Sequence, residues 1–391
     1  MEKSFIARNP SVLWFLLALA LFTLGVTVMS EAFGASIVST SFLKTLGKTL
    51  CLCLVAIAMD VVWGYCGILS LGHFAFFGIG GYAIGMWLMY ERTRDIVVTS
   101  LETGVIPPTP DEITEAVGTQ IFGVVGSSEF PAIWAFSHSL TLQLLAVVLV
   151  PGLLALVFGW LAFRSRVTGV YLSILTQAMT LALSLYFFQN DTGLRGNNGL
   201  SGLQNIPGLT EVSQATLSLW FFWASALALA LGYVFFAWIT SGKIGSVIHA
   251  IRDNESRVRF LGYHVESYKL FVFTVTAMVA GIAGALYYPQ AGIINPAEIA
   301  PIASIYLAVW VAIGGRGRLY GAVIGAAVVS LMSSWFTGGS APNANLRFYE
   351  IKWTDWWLVL LGVTFVAVTL FFPKGIGGLF DLLPSKKGEA Q

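Results

Sequence analysis

The sequence SGKIGSVIHAIRDNESRVRFLGYHVESYK, residues 241–269, decides how this chain is arranged. It is the longest polar interruption in the second half of an otherwise apolar sequence. Five charged residues fall within eight positions: Arg252, Asp253, Glu255, Arg257 and Arg259. A charge at the centre of a bilayer costs about 2.5–3.5 kcal/mol, so the five together would cost more than about 10 kcal/mol. The stretch therefore lies in water.

An apolar stripe runs through the same stretch. Its members repeat at helical spacing: Ile244, Val247, Ile248 and Ile251. One apolar face beside a charged face predicts a short amphipathic helix outside the membrane. The spacing leaves open whether this helix rests against another body or is a solvated helix that only joins two spans.

The composition is that of a polytopic membrane protein. Hydrophobic residues make up 57% of the 391 residues and charged residues only 10%, which is more apolar surface than a soluble globular chain needs. The net charge of +1 argues against a nucleic-acid partner. Cys51, Cys53 and Cys66 lie in or beside one apolar segment, so we expect packing residues rather than a zinc site or a disulfide framework.

Ten apolar segments are candidates for membrane helices. They are 12–29, 46–63, 68–90, 141–163, 168–188, 215–239, 270–288, 302–314, 320–336 and 356–372. The first has 18 residues, about 27 Å as a helix, so we expect a retained span rather than a signal peptide. The eighth is too short to cross unaided and is expected to be broken or re-entrant. The predicted fold is an all-α polytopic bundle of about ten transmembrane or re-entrant helices, forming one domain over residues 1–391.

Lys and Arg residues predict the orientation, because cytoplasmic loops carry an excess of them. With both termini inside, 14 of the 21 Lys and Arg residues fall on the inner side and 7 on the outer side. This bias predicts cytoplasmic N- and C-termini and puts the loop 240–268 in the cytoplasm.

Two loops are then external. Residues 91–139 form an acidic insert, which is either a soluble loop or a docking face for an external partner. Residues 190–213 are dense in Gly and Asn, which permit positive φ. This second loop is either an ordered lid or an ordinary cluster of turns.

Two glycine-rich stretches lie within the membrane, at 67–85 and at 314–330. Small residues three or four positions apart let helix backbones approach closely. Close packing is the first interpretation, and a permeation path lined by backbone is compatible with it. We assign Gly78, Gly81 and Tyr82 to such a path.

Few ionisable groups lie at membrane depth. Asp60, near the inner end of the second span, and His73, in the third, are candidates for the path, although either could equally pin neighbouring helices. Gln177 and Thr180 are neutral polar groups of the fifth span that could face a cavity. So little fixed charge suits a neutral or zwitterionic solute better than an ion.

The sequence carries no motif for catalysis, a nucleotide, a metal or another cofactor. Gly47, Lys48 and Thr49 imitate the end of a phosphate-binding loop, but Phe42 stands where its first glycine should be. We therefore expect a chain that is not an enzyme, does not bind ATP by itself and needs no cofactor.

Four motifs in order resemble the permease subunits of branched-chain amino-acid type ABC importers. They are DVVWGYCGILSLGHFAFFGIGGY at 60–82, NDTGLRGNNGLSGL at 190–203, HAIRDNESRVRFLGYHVESYKLFVF at 249–273 and IYLAVWVAIGGRGRLYGAVIGA at 305–326. The resemblance extends over about 46–378. The insert 91–139 and the form NDTGLRGNNGL look closest to the longer permease of the urea-importer branch.

The resemblance implies a cytoplasmic coupling helix, at about 243–262, that seats in a groove of a separate ATPase subunit. The residues it assigns to that contact are His249, Arg252, Asp253, Glu255, Arg257 and Gly262. It also implies a second permease, two ATPase subunits and a soluble external solute-binding protein, whose docking we assign to Arg195, Asn197 and Asn198. The implied location is the bacterial cytoplasmic (inner) membrane.

The resemblance further implies an ATP-driven importer that works by alternating access on a small nitrogenous solute. Urea is the first expectation, and branched-chain or other amino acids are the alternative. A stand-alone channel or secondary carrier for small neutral solutes is the alternative of another class. An intramembrane enzyme is disfavoured, because no acid, base or metal set is clustered.

Overall fold

The computed structural model describes residues 9–33, 38–101, 109–122, 131–209, 211–338, 344–346, 349–351, 353–371 and 375–378. In these residues the chain forms thirteen α-helices and two short antiparallel sheets. The helices are α1 Pro10–Phe33, α2 Thr40–Asp60, α3 His73–Leu101, α4 Pro110–Phe122, α5 Leu140–Arg164, α6 Val170–Phe188, α7 Gln214–Ser241, α8 Lys243–Asp253, α9 Glu255–Phe260, α10 Val265–Ala291, α11 Pro301–Gly314, α12 Leu319–Thr337 and α13 Trp353–Phe371. Strand β1 Leu200–Ser201 pairs with β2 Ile293–Ile294, and β3 Ala344–Leu346 pairs with β4 Tyr349–Ile351.

The helices confirm the predicted all-α polytopic membrane fold. Among the described residues, seven helices are long and apolar enough to cross a membrane: α1, α2, α5, α6, α7, α10 and α12. The glycine-rich α3 and the shorter apolar α11 and α13 complete the predicted set of about ten. Helix α11 has 14 residues, so the eighth segment is as short as its sequence indicated.

Helix α2 is the centre of the bundle. In the most apolar 18-residue segment of α2, 89% of the residues are buried, and α7, α10 and α12 pack around the helix. A helix that is apolar on every side is expected in such a place. Helix α1 lies at the surface of the bundle. Only 11% of its most apolar 18-residue segment is buried, and Trp14 and Leu21 are each 71% exposed. The outer side chains of α1 are therefore placed to meet lipid.

Glycines bring helix backbones into contact, which confirms the close packing predicted for both glycine-rich stretches. Between α3 and α10, a Cβ atom on Gly80 would overlap the backbone of Gly281, and one on Gly284 would overlap the carbonyl oxygen of Phe77. Between α11 and α12, a Cβ atom on Gly325 would overlap backbone atoms of α11. Such contacts require small residues.

The predicted third span, 68–90, is wrong at both ends. Helix α3 begins only at His73 and continues to Leu101, beyond the apolar run. Hydropathy did not find the start, because the residues before His73 are as apolar as those after it.

The segment 66–72, between α2 and α3, is not helical. Gly67 has a φ of +78°, which leaves the helical region. The Leu71 amide donates a hydrogen bond to Thr176 Oγ1 of α6 at 3.0 Å, and Ser173 Oγ donates to the Leu69 carbonyl at 2.7 Å. Side chains of α6 thus satisfy backbone groups that this segment exposes inside the bundle.

The two ends of the bundle carry different structures. One end, which we call the α8 end, holds α8, α9 and the corner 315–318 between α11 and α12. The other, the α4 end, holds α4, the β1–β2 sheet and the loop 190–213.

Parts of the sequence-based predictions fall outside the described residues. These parts are residues 102–108 and 123–130 of the insert, residue 210 of the loop 190–213, residue 372 of the last apolar segment and the terminal segments 1–8 and 379–391. The predicted side of each terminus and the assignment of the chain to one domain stay predictions.

Candidate coupling site

The polar stretch at the α8 end folds into two helices, whereas its spacing predicted one. Helix α8 buries Ile248 and Ile251 of the predicted apolar stripe. Asn254 ends α8 with an extended backbone (φ −158°), and its Oδ1 accepts a hydrogen bond from the Arg257 amide at 3.0 Å. Asn254 is therefore the N-cap of α9, and the stretch is kinked at this residue.

A small apolar cluster holds the two helices to the bundle. Ile251 of α8, Val258 of α9 and Val265 of α10 are buried together, with Val247 and Tyr268 packed against them. The apolar face of the amphipathic helix therefore rests on its own bundle, and contact of this helix with another protein stays a prediction.

Arg252 joins α8 to α2. Its Nη1 donates a hydrogen bond of 2.7 Å to the carbonyl oxygen of Gly64, which lies in a π-helix, Val61–Tyr65, that continues α2. A π-helix interrupts the regular backbone pattern. Arg252 also forms an exposed pair with Asp253 at 3.2 Å. The resemblance assigned Arg252 to an ATPase contact, but its guanidinium is engaged within the chain.

His249 lies beside this contact on the same helix. Its ring centroid is 5.0 Å from that of Tyr65 in the π-helix. Burial and then the positive charge of Arg252 lower the pKa of His249. The imidazole is therefore neutral at neutral pH, and half-buried rather than fully available to another protein.

Glu255 is the centre of a charged network inside the site. Its carboxylate accepts hydrogen bonds from Lys269 Nζ at 2.6 Å and Arg259 Nη2 at 2.7 Å, and Arg259 also pairs with Glu266. Burial pushes the pKa of Glu255 up, but the hydrogen bonds from Lys269 and Arg259 outweigh it and hold the pKa below its usual value. The network fastens α9 to α10, so Glu255 stabilises the site from within.

The last residue of α9 and the three residues after it form the most exposed apolar feature of the α8 end. We call residues 260–263 the exposed turn. Phe260 is 92% exposed, Leu261 71% and Tyr263 45%, and Gly262 has a φ of +88° that turns the chain. Large apolar side chains held in such an exposed position are typical of a surface that contacts another protein or the membrane. Arg257 is exposed on the preceding helix.

Asp60 lies where α2 meets the corner 315–318. Its Oδ1 accepts a hydrogen bond from the Gly317 amide at 2.7 Å, and the residue is fully buried. Arg316 of the same corner stacks over the ring of Trp63, with its Cζ 5.0 Å from the ring centroid. The structure thus places Asp60 at a junction of helices; its assignment to the path stays a prediction.

His73 is fully buried at the start of α3. One ring nitrogen contacts Ser70 Oγ at 3.1 Å and the other contacts Thr276 Oγ1 at 3.3 Å. Both ring nitrogens therefore have partners within the bundle, which favours the alternative that His73 pins neighbouring helices.

Gly78 and Gly81 accommodate side chains from neighbouring segments. A Cβ atom on Gly78 would overlap Ile299, and one on Gly81 would overlap the ring of Tyr288. Tyr82 is buried against Phe187, with ring centroids 5.0 Å apart. These contacts are packing contacts, and the assignment of Gly78, Gly81 and Tyr82 to a path stays a prediction.

Gln177 and Thr180 lie one turn apart on α6 and differ in burial. Thr180 is buried, and its Oγ1 donates to the Thr176 carbonyl at 2.8 Å and to the Leu71 carbonyl at 3.3 Å. Gln177 is half-buried. Thr180 therefore faces the segment 66–72, which it helps to hold.

At the α4 end, the predicted docking residues lie on a constrained loop. Arg195 has a φ of +62°, unusual for a residue other than glycine, and its Nε is buried without a hydrogen bond. Asn197 and Asn198 are exposed in a short 3₁₀-helix. The indole Nε1 of Trp134, in the insert, donates to the Gly193 carbonyl at 2.7 Å, so insert and loop form one surface.

Several residues of the site were missed by the sequence-based interpretation. Lys269 was counted only as a positive charge, although it is the buried partner of Glu255. The exposed turn was not singled out, although the unbroken pair Phe260–Leu261 before a glycine, in a charged stretch, is its signal. In the part of the chain that is described, no group of three His, Cys, Asp or Glu residues could hold a metal ion.

The model of the protein family described as "Branched-chain amino acid transport system / permease component" matches residues 41–369. The chain is 24% identical over 288 residues to the high-affinity branched-chain amino acid transport system permease protein LivM of Escherichia coli (strain K12), covering 66% of this chain and 64% of LivM. It is 27% identical over 272 residues to the xylose transport system permease protein XylH of the same strain, covering 66% of this chain and 61% of XylH.

A third relative is the ribose import permease protein RbsC of Haemophilus influenzae, 21% identical over 193 residues that cover 48% of this chain and 58% of RbsC. The chain thus spans less than two thirds of the length of each of these three relatives. No solved structure matches the chain.

Proposed function

Because the chain belongs to the family of branched-chain amino acid transport system permease components, we propose that it is the membrane-spanning permease subunit of an ATP-driven ABC importer. The observation that carries this proposal is the exposed turn at the α8 end. Helices α8 and α9 are held rigidly to the bundle through Arg252 and Glu255, and they present Phe260 and Leu261 to the surroundings. A rigid element with an exposed apolar tip is suited to transmit movement from a partner protein.

Two ATPase subunits are the partners that such an importer needs at the α8 end. In the proposed coupling, one ATPase contacts the exposed turn together with the exposed residues Asp253, Arg257 and Gly262. Glu255 and half-buried His249 lie behind this surface, and Arg252, although exposed, is bound to the Gly64 carbonyl; these three residues keep the shape of the surface. This division differs from the assignment implied by the resemblance, which gave all six residues the same part.

The orientation and the remaining partners follow from the same proposal. The α8 end faces the cytoplasm of a bacterial cell, as the excess of Lys and Arg predicts, and the α4 end faces outward. A soluble solute-binding protein docks at the α4 end on Arg195, Asn197 and Asn198. A second permease completes the membrane unit in the inner membrane.

Urea is the proposed solute. Its support is the sequence form NDTGLRGNNGL at 190–200 together with the insert 91–139, which resemble the urea-importer branch. The second candidate is a branched-chain amino acid, favoured by the similarity to LivM, a branched-chain amino acid permease. Both solutes carry no net charge and suit a bundle with few charges at membrane depth.

Reconstitution tests the proposal. The chain, its partner permease, the ATPase pair and the binding protein are placed in proteoliposomes, and uptake of radiolabelled urea and leucine is measured with and without enclosed ATP. We expect uptake of urea that requires both ATP and the binding protein. ATP-dependent uptake of leucine alone would select the second candidate.

A control uses the purified chain in liposomes without ATP. Solute uptake by the chain alone would contradict the proposal and favour a channel or secondary carrier. Exchange of Phe260 for Asp in the full assembly serves as the site control, because it changes the exposed turn without touching a buried contact.

A further inference from the structure

Three separate parts of the chain meet at one point at the α8 end. The guanidinium of Arg252 reaches the Gly64 carbonyl from α8. The Gly317 amide reaches Asp60 from the corner between α11 and α12. Asp60 and Gly64 are four residues apart, so both contacts fall on the last turns of α2 and its π-helix. We call Asp60, Gly64, Arg252 and Gly317 the inner junction.

The backbones at the inner junction touch directly. A Cβ atom on Gly64 would overlap both Asp60 Oδ1 and the Gly317 amide nitrogen, and it would lie 2.7 Å from Gly317 Cα. A Cβ atom on Gly317 would lie 3.4 Å from the Gly64 carbonyl oxygen and 3.5 Å from Arg252 Nη1. Only glycine fits at position 64, and the guanidinium of Arg252 lies within reach of both glycines.

Asp60 is a fully buried member of the inner junction. A buried carboxylate is costly unless it is hydrogen-bonded and faces positive charge. Burial disfavours the ionised form of Asp60, and the hydrogen bond from the Gly317 amide to Oδ1 and the positive charges of Arg316 and Arg252 oppose this effect, while Oδ2 has no hydrogen-bond partner among the described residues. The bond from the Arg252 guanidinium to the Gly64 carbonyl has one ionised partner, and such bonds are roughly twice as strong as neutral ones.

We propose that Asp60 and Arg252 are positioning residues for the coupling step, which hold α8 and the α11–α12 corner against the same turn of α2. The proposal rests on the proposed function, since it needs an ATPase that moves α8. A displacement of α8 then reaches α11 and α12 through contiguous packed groups, because close-packed interfaces move as units. Asp60 acts through Gly317 and need not touch the solute.

The test measures how many solute molecules enter per ATP hydrolysed by the complete importer in proteoliposomes. We expect Asp60→Ala and Arg252→Gln each to lower this ratio about tenfold, because the first removes a buried hydrogen bond and the second a charge-assisted one, while ATP hydrolysis continues. Asp60→Asn keeps an acceptor oxygen for Gly317, so its ratio should fall between wild type and Asp60→Ala. The double variant should fall no lower than either single variant, because the two residues act as one unit.

A matched control removes a different contact between α2 and α12. Thr49 Oγ1 and Ser330 Oγ are 3.0 Å apart and buried, away from the corner 315–318. Thr49→Val should keep the wild-type ratio. Equal losses in Thr49→Val and Asp60→Ala would overturn the proposal, because any damage to the packing of α2 would then suffice.

A steric variant keeps the proposal testable if Asp60→Ala does not assemble. Gly64→Ala forces the Asp60 carboxylate and the corner away from each other while both keep their own side chains, and Gly25→Ala is its control, since nothing lies within 4 Å of a Cβ atom there. Gly64→Ala and Asp60→Asn should both lower the ratio. Wild-type ratios in both variants would overturn the proposal that the inner junction serves the coupling step. A wild-type importer without ATP-dependent uptake would instead refute the proposed function.

Discussion

Replacement of Glu255 by Gln removes the charge at the centre of the network that fastens α9 to α10. Lys269, whose side chain is only 8% exposed, then loses its counter-ion, whereas Arg259 keeps Glu266. Loss of one partner from a buried ion pair costs about 3–5 kcal/mol, and because Glu255 is itself 25% exposed we expect about 2–3 kcal/mol. Asp253 provides the matched control on the same surface. Its pair with Arg252 is exposed at 68% and 39%, so Asp253→Asn should cost less than about 0.5 kcal/mol.

Hydrogen exchange of the protein in lipid nanodiscs measures this difference. A loss of 2–3 kcal/mol in local stability raises the exchange of the α9 amides about 30- to 150-fold. The same amides in Asp253→Asn should exchange at the wild-type rate. Equal exchange in the two variants would refute the reasoning, because it would mean that the buried Lys269 contact contributes no more than an exposed pair.

The pH dependence follows from the lowered pKa of Glu255. A carboxylate with a lowered pKa stabilises the fold above its unfolded value, about 4.3, and that contribution is lost as the pH falls through the folded value. The difference between wild type and Glu255→Gln should therefore be constant from pH 5 to pH 8 and shrink only below about pH 4. A difference that disappears near pH 6 would contradict the assigned pKa shift.

Three further variants test other parts of the structure. Phe260→Asp should leave the stability within about 0.5 kcal/mol of wild type, since the side chain is 92% exposed. It should nevertheless abolish co-purification of the ATPase subunits. Retained co-purification would argue against the exposed turn as the ATPase contact. Trp134→Phe removes the hydrogen bond to the Gly193 carbonyl, which costs about 1 kcal/mol, and it should speed proteolysis of the loop 190–213. Unchanged proteolysis would contradict the contact between the insert and that loop. Gly284→Ala would force a Cβ atom onto the Phe77 carbonyl, so we expect a loss of about 1–3 kcal/mol and a lower Tm in detergent; an unchanged Tm would contradict the close approach of α3 and α10.

The membrane helices could be predicted because their apolar length is encoded residue by residue. The predicted segment 215–239, for example, became α7 at Gln214–Ser241. The prediction for the segment 66–72 was wrong for a physical reason. The segment is apolar, so hydropathy treats it as part of a span. Its non-helical path depends on Gly67 and on hydrogen bonds from α6, more than a hundred residues away in the sequence.

The amphipathic stripe at 244–251 correctly predicted the buried face of α8, but charge alone could not distinguish contacts within the chain from contacts with a partner. Arg252 and Glu255 are as polar as Arg257, yet their partners are Gly64 and Lys269, which no local pattern connects to them.

Helix α4, inside the insert, had a local signal that was overlooked. Thr109 Oγ1 accepts from the Glu112 amide at 3.3 Å, and Glu112 Oε2 accepts from the Thr109 amide at 2.7 Å. This is the reciprocal capping box, recognisable as Thr-x-x-Glu before a helix.

At the α8 end, the charged side chains of Arg252 and Glu255 bind within the chain and the apolar turn faces outward. This arrangement has a consequence for changing the ATPase subunit that a permease binds. Arg252 and Glu255 find their partners in α2 and α10, so a chimera that exchanges all of α8 and α9 for a foreign segment must also supply a match for Lys269. A graft confined to residues 260–263 disturbs none of these bonds. Exchange of these four residues is then enough to change which ATPase subunit a permease binds, with the transmembrane helices left as they are.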